Sequence, residues 1–220
     1  MKDAIFFHIP KVAGTSIFEV LKKNGGVQFS ADKFEKDNYK SFNNKGIVSF
    51  GHYDVPSLLK EKIISKRFFD WSFKFAFVRN PWDRMISLYH YSGISRLKKY
   101  STFGDFCHNV EQGIKGESDF SPKPGLFNSK MMSQARPQTD WLLDKDGKSI
   151  VDFIGRYEDL HKDFARISQI LNLKGELGHL NKMSQRQHPD YYYHSDAIIE
   201  MVRRIYKKDI KFFKYKYSQS

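Results

Sequence analysis

A lysine, a glycine and two hydroxyl side chains behind a short apolar run are the parts of an anion-binding turn. His8-Ile9-Pro10-Lys11-Val12-Ala13-Gly14-Thr15-Ser16 has that make-up. Backbone N–H groups from Ala13 onward and the positive end of a helix dipole would face a phosphate or sulfate. Gly14 would let the anion approach, and Thr15 and Ser16 would donate hydroxyl hydrogen bonds. Taken alone, the stretch also fits an ordinary strand-to-helix turn with a surface lysine. It is not a Walker A loop, which carries a glycine at each end and a lysine directly before Ser or Thr, whereas Lys11 precedes Ser16 by five residues. A second pair, Arg79 and Ser87, is eight residues apart, and a guanidinium fork with a hydroxyl suits one phosphate. His52 titrates near neutrality and is the first candidate for proton transfer. Asp54 is the second, weak unless buried because a carboxyl ordinarily titrates at about 4.

These residues need strand ends to hold them. Residues 4–9 read as an apolar strand buried on both faces, 46–50 as a second, 73–78 as a third and 150–155 as a fourth. Thr15 or Ser16 can cap a helix with Ile17, Val20 and Leu21 on one face, stopped by Gly25-Gly26. Residues 56–66 read as a helix with Pro in its first turn. Asn80-Pro81-Trp82-Asp83 starts another, with Asn as cap and Asp at the positive dipole end. Further helices are expected over 102–114, from Glu158 through 171, and as one long basic helix over 195–213. Residues 30–44 and 116–125 read as non-periodic connections. Strand, loop and helix alternate, which predicts an α/β architecture: one parallel sheet with helices on both faces and ligands at the carboxyl ends of the strands. Lys11 to Ser16, His52 and Arg79 all follow strands in this scheme. His8 is expected to support the turn, and Trp82 is expected in the core. Tyr191-Tyr192-Tyr193 fit either a core or a sugar-stacking role.

Composition narrows the class further. A chain of 220 residues with 40% hydrophobic content, 20 Phe and 12 Tyr has the material for a core, and it reads as a single domain over residues 1–220. Thirty-seven Lys and Arg against 25 Asp and Glu give a net charge of +12, which favours anionic partners or reflects a solvated basic surface. One cysteine, Cys107, excludes an internal disulfide, and no Cys/His spacing resembles a zinc site. Residues 4–9 are too short for a signal-peptide core or a membrane span, so a soluble, cytoplasmic protein without stable membrane insertion is expected. No nucleic-acid reader motif is present. A basic nucleic-acid-binding module, like a nucleoside-triphosphate kinase, therefore stands as an alternative with less behind it.

The stretch His8 to Ser16, together with Phe77-Val78-Arg79-Asn80-Pro81-Trp82-Asp83-Arg84-Met85-Ile86-Ser87-Leu88-Tyr89, resembles the two cofactor signatures of the carbohydrate sulfotransferase family (sulfotransferase family 2) that includes the heparan sulfate 2-O- and 6-O-sulfotransferases. Weaker likeness extends through Ser49 to His52, Asp152 to Leu160 and Tyr206 to Ile210, but not through residues 96–138. The resemblance implies a P-loop nucleoside-triphosphate-hydrolase-like sulfotransferase fold. It also implies 3′-phosphoadenosine 5′-phosphosulfate (PAPS) as donor, with the 3′,5′-bisphosphate (PAP) as product, no metal, and a saccharide or glycoconjugate acceptor. On this footing Lys11 serves the bridging and sulfate oxygens, Ala13, Gly14, Thr15 and Ser16 the 5′-phosphate, Arg79 and Ser87 the 3′-phosphate, and His52 the acceptor hydroxyl. Lys182, Ser184 and Arg186 are implied to reach the 3′-phosphate or adenine. Val12 departs from the usual Thr of the family, which predicts a modest change in affinity.

Overall fold

The computed structural model describes residues 2–30, 42–51, 59, 62–91, 100, 102–115, 134–178 and 187–217. Five strands form one sheet in the order β2-β3-β1-β4-β5 with every pairing parallel: β1 (Ala4–His8), β2 (Val27–Ser30), β3 (Ile47–Gly51), β4 (Phe73–Val78) and β5 (Phe153–Arg156). Ala4 to Phe7 are each no more than 1% exposed, so both faces of the central strand are covered, as its unbroken apolar run requires. The α/β expectation holds.

After β1 the chain turns into α1 (Gly14–Lys23), which lays Ile17, Val20 and Leu21 into the core around the sheet. That helix ends at Gly25, with φ 78°, where the amides of Gly25 and Gly26 bond back to the carbonyls of Lys22 and Leu21. Helix α6 (Leu160–Leu171) adds Phe164, Ile167 and Leu171 to the same core. A second apolar cluster joins α3 (Pro81–Tyr89), α4 (Phe103–Lys115), α7 (Pro189–Tyr192) and α8 (Asp196–Ile205) through Met85, Phe106, Tyr192 and Val202.

Several boundaries differ from the sequence reading. Strand β2 was not expected: its four residues carry too little pattern, and pairing with β3 from Val27↔Val48 onward defines it. The helix expected over 56–66 does not run to its predicted end. Lys62 is left-handed at φ 56°, Ser65 is extended and caps the Phe68 amide at 3.1 Å, and α2 (Lys66–Trp71) begins there. The long terminal helix is broken at Tyr206 into α8 and α9 (Lys207–Phe213). Tyr206 hydroxyl donates to the Ala135 carbonyl at 2.8 Å, and Asp209 accepts the amide and hydroxyl of Thr139, at the start of α5 (Thr139–Leu142). Glu158 is not in a first helical turn either. It accepts the Asn80 amide at 2.6 Å and the Tyr215 hydroxyl at 3.1 Å, which ties the start of α3 to the chain's end. Trp82 is in the core as expected, with Nε1 donating to the Ile199 carbonyl at 3.1 Å. Tyr192 and Tyr193 are buried and Tyr191 is exposed. Among the described residues no helix is long and apolar enough to cross a membrane.

Candidate functional site

The central position of β1 decides where the site lies. Its carboxyl end at His8 is paired with Gly51 of β3, and β4 on its other side delivers Arg79 one residue after Val78. The turn after β1 and the segment after β4 are in direct contact: Arg79 Nη1 donates to the Lys11 carbonyl at 3.1 Å, and Arg84 Nε donates to the Pro10 carbonyl at 3.1 Å. Two stretches that read as separate motifs are hydrogen-bonded into one unit.

Within the turn, Lys11 and Ala13 adopt φ of 71° and 66°, a left-handed conformation that L-residues visit at a cost. Such residues among right-handed neighbours curve successive N–H groups into an anion-binding nest. Ala13 is the N-cap of α1 and offers no side-chain bond to the helix. The amides of Gly14, Thr15 and Ser16 therefore begin the helix without an intrahelical acceptor. Gly14 does not take a positive φ. A Cβ there would stand 1.9 Å from the His8 ring, so the glycine is required by the imidazole that packs on it. His8 is itself held by stacking on Phe6 and by Gln28 Nε2 at 3.1 Å from Nδ1, which fits its expected supporting place. Val12 is fully buried in the sheet core.

Positive charge dominates the electrostatics. Lys11 Nζ lies 4.0 Å from the Tyr91 ring centroid, and burial, then Arg79 and Arg84, push its pKa down to about 8. Arg79 is 4% exposed. It pairs through Nε with Asp83 and lies 3.9 Å from the Tyr157 ring centroid. Gln138 clamps the backbone of Arg79 from both sides, its Oε1 accepting the amide and its Nε2 donating to the carbonyl, each at 2.9 Å. Arg84 is completely buried, and its guanidinium donates to the carbonyls of Pro10, Arg136 and Gln134 at 3.1, 3.0 and 2.6 Å. Burial pushes the Arg84 pKa below the usual arginine value, while Tyr206 and Asp209 act in the opposite sense. Ser87 is buried on α3, two turns beyond Arg79. A helix start whose first amides have no intrahelical acceptor, beside Lys11 and Arg79, is chemically suited to an anion.

The family model described as "Sulfotransferase family" matches residues 2–216. The chain belongs to the sulfotransferase family. An uncharacterised protein of Archaeoglobus fulgidus is 28% identical over 123 residues, covering 56% of this chain and 87% of that one. Mouse sulfotransferase SULT7A1, crystallised with PAP, aligns at a TM-score of 0.47 with 17% identity, covering 96% of this chain and 66% of its own. A sulfotransferase from Alicyclobacillus acidocaldarius aligns at 0.44 with 11% identity, covering 98% of this chain and 100% of its own.

Of the residues expected at the donor site, Lys11, Ala13, Gly14, Thr15, Ser16, Arg79 and Ser87 are described, and all seven lie on the two stretches joined by the arginine bonds. His52, Asp54, Lys182, Ser184 and Arg186 lie outside the described residues. Sequence reading missed Arg84, Gln138, Asp209, Tyr157 and Tyr91. Arg84 had a signal: it is an arginine on a helix face otherwise filled by Pro81, Met85 and Leu88. Gln138 and Asp209 had none, because their partners lie 59 and 71 residues away along the chain.

Proposed function

We propose that this sulfotransferase moves a sulfuryl group from PAPS to a hydroxyl of a saccharide or glycoconjugate. One observation carries the reading: the carbonyls of Pro10 and Lys11 are occupied by Arg84 and Arg79, so the turn is left to present amides and an ammonium group. That donor set fits an adenosine charged at both ends. Lys11 and the residues Ala13, Gly14, Thr15 and Ser16 would hold the 5′-phosphosulfate, and Arg79 and Ser87 the 3′-phosphate. Among the described residues, Arg79 has Nε and Nη1 engaged by Asp83 and Lys11, so Nη2 is the edge that would meet phosphate. Lys182, Ser184 and Arg186 complete the adenosine side in this reading.

PAPS supplies a sulfuryl group already bonded to a phosphate leaving group. The protein's part is positioning and charge neutralisation, as in phosphoryl transfer. Lys11 places its ammonium at the bridging oxygen, where negative charge grows, and His52 takes the proton of the acceptor hydroxyl. The resemblance of both signatures to carbohydrate sulfotransferases and the net charge of +12 favour a saccharide acceptor, acidic ones most of all. Calorimetric titration with PAP beside ATP–magnesium tests the donor class: preference for PAP is expected, and preference for ATP–magnesium would overturn the reading. Arg79→Ala should weaken PAP more than adenosine 5′-phosphosulfate, which lacks the 3′-phosphate; equal losses would remove Arg79 from that role.

A further inference from the structure

Helix α3 meets the turn after β1 at two levels. Arg84 Nε reaches the Pro10 carbonyl at 3.1 Å. Seven residues on, the Tyr91 amide bonds to the Leu88 carbonyl at 3.1 Å, extending the last turn, and the Tyr91 ring carries Lys11 Nζ 4.0 Å from its centroid. Arg84, inside α3, and Tyr91, two residues past its end, thus both reach the turn.

Tyr91 is 40% exposed and belongs to neither buried apolar cluster, so packing does not explain it. Electrostatics does. Among the described residues, the charged groups that act on the Lys11 ammonium are Arg79, from the end of β4, and Arg84, from α3, and both repel it. Among the described residues no carboxylate pairs with Lys11. The negative face of an aromatic ring is then the attractive partner within reach. We propose that Tyr91 is a positioning residue: its ring face holds the Lys11 ammonium beside the turn, at the place where the leaving oxygen of the donor must be met. This inference rests on the transfer role given to Lys11 above. It asks nothing of the tyrosine hydroxyl, so phenylalanine should serve as well.

The test uses Tyr91→Leu and Tyr91→Phe in the full chain, with lysines 13C-labelled and the Lys11 resonance assigned by its loss in Lys11→Arg. In the ligand-free protein, Tyr91→Leu should lower the Lys11 titration midpoint by roughly 0.5 to 1.5 pH units, and Tyr91→Phe should leave it in place. Turnover with PAPS should fall about 3-fold to 30-fold in Tyr91→Leu, mainly in kcat, and stay near wild type in Tyr91→Phe. A Lys11 midpoint unmoved by Tyr91→Leu overturns the contact. A loss in Tyr91→Phe as large as that in Tyr91→Leu assigns the effect to the hydroxyl and likewise overturns it. If Lys11→Ala keeps its turnover, the transfer role of Lys11 fails and the purpose of the contact fails with it. The NMR shift of Tyr91→Leu separates that outcome from a missing contact.

Discussion

The turn between β1 and α1 has no side-chain cap and holds Lys11 and Ala13 at left-handed φ of 71° and 66°. The start of α3 is its opposite. Asn80 caps the Trp82 amide at 3.1 Å, Pro81 fills the first helical position, and Asp83 sits in the first turn. The second segment carries its helix cap, proline and acidic first turn in its own sequence, whereas the first is shaped from outside, by two arginines donated from that second segment. A nest of amides cannot stabilise itself, because the curvature that aims N–H groups at a ligand removes them from helix and sheet. The conformational cost, about 1–2 kcal/mol for each left-handed residue, has to be offset by tertiary hydrogen bonds. Arg84 and Arg79 supply one each, to the carbonyls of Pro10 and Lys11, and two further bonds to Gln134 and Arg136 hold Arg84 in place.

The sharpest way to separate the chemical from the structural half of this pair is Lys11→Ala. Turnover should drop by about 10²–10³-fold, the usual loss when one group aimed at developing charge is removed. Thermal stability should not suffer. Burial and the two arginines hold the Lys11 pKa down to about 8, below the lysine value of 10.5, so its charged form is disfavoured by the fold at neutral pH. Steady-state kinetics beside a thermal melt checks both halves, and turnover within a few-fold of wild type would take Lys11 out of the transfer step.

Arg84→Leu attacks the support instead. It leaves the carbonyls of Pro10, Gln134 and Arg136 without their donor in a fully buried place, which should cost roughly 3–5 kcal/mol. For a chain of this size that is a melting temperature lower by about 10 °C. PAP binding should weaken along with it, although Arg84 touches no ligand in the proposed site. A melt within 2–3 °C of wild type would show that the turn holds its shape unaided.

Solution pH tests the same pair without mutation. An anion bound beside Lys11 raises its pKa, so the complex carries more protons than the free protein once pH exceeds the free value of about 8. PAP affinity should fall by up to about tenfold per unit above that pH, where both of its phosphates are already fully ionised. Lys11→Ala should abolish the slope. Calorimetry in two buffers of different ionisation heat should show proton uptake at pH 8.5 that is missing in Lys11→Ala.

The same contrast governs what could be read from the sequence. The start of α3 was legible to the residue, since cap, proline and acidic first turn are all local signals. Strand β1 was legible as a nearly unbroken apolar run, and β3 and β4 as short strand-favouring stretches rich in Val, Ile and Phe. The make-up of the turn was legible, but not its packing: the His8 ring requires a glycine at position 14, and the left-handed angles fall on residues that carry side chains. What no local pattern could carry is the scaffold behind the turn. Gln138 clamps Arg79, and Asp209 gathers the amides of Gln138 and Thr139 along with the Thr139 hydroxyl, in contacts that exist only once distant segments are folded together.

The smallest expected effect isolates the strain itself. Ala13→Gly removes the Cβ that disfavours φ 66°, a gain of about 1–2 kcal/mol, while adding unfolded-state entropy of roughly 0.5–1 kcal/mol. The balance is a stabilisation of about 0.5–1 kcal/mol, visible as a higher denaturation midpoint with unchanged m-value. Asn80→Ala runs the opposite way at the self-supporting segment, where losing the cap should cost about 1 kcal/mol. If Ala13→Gly instead destabilises the protein, the left-handed cap is not under strain, and the outside support from Arg79 and Arg84 is holding something other than the curvature of the turn.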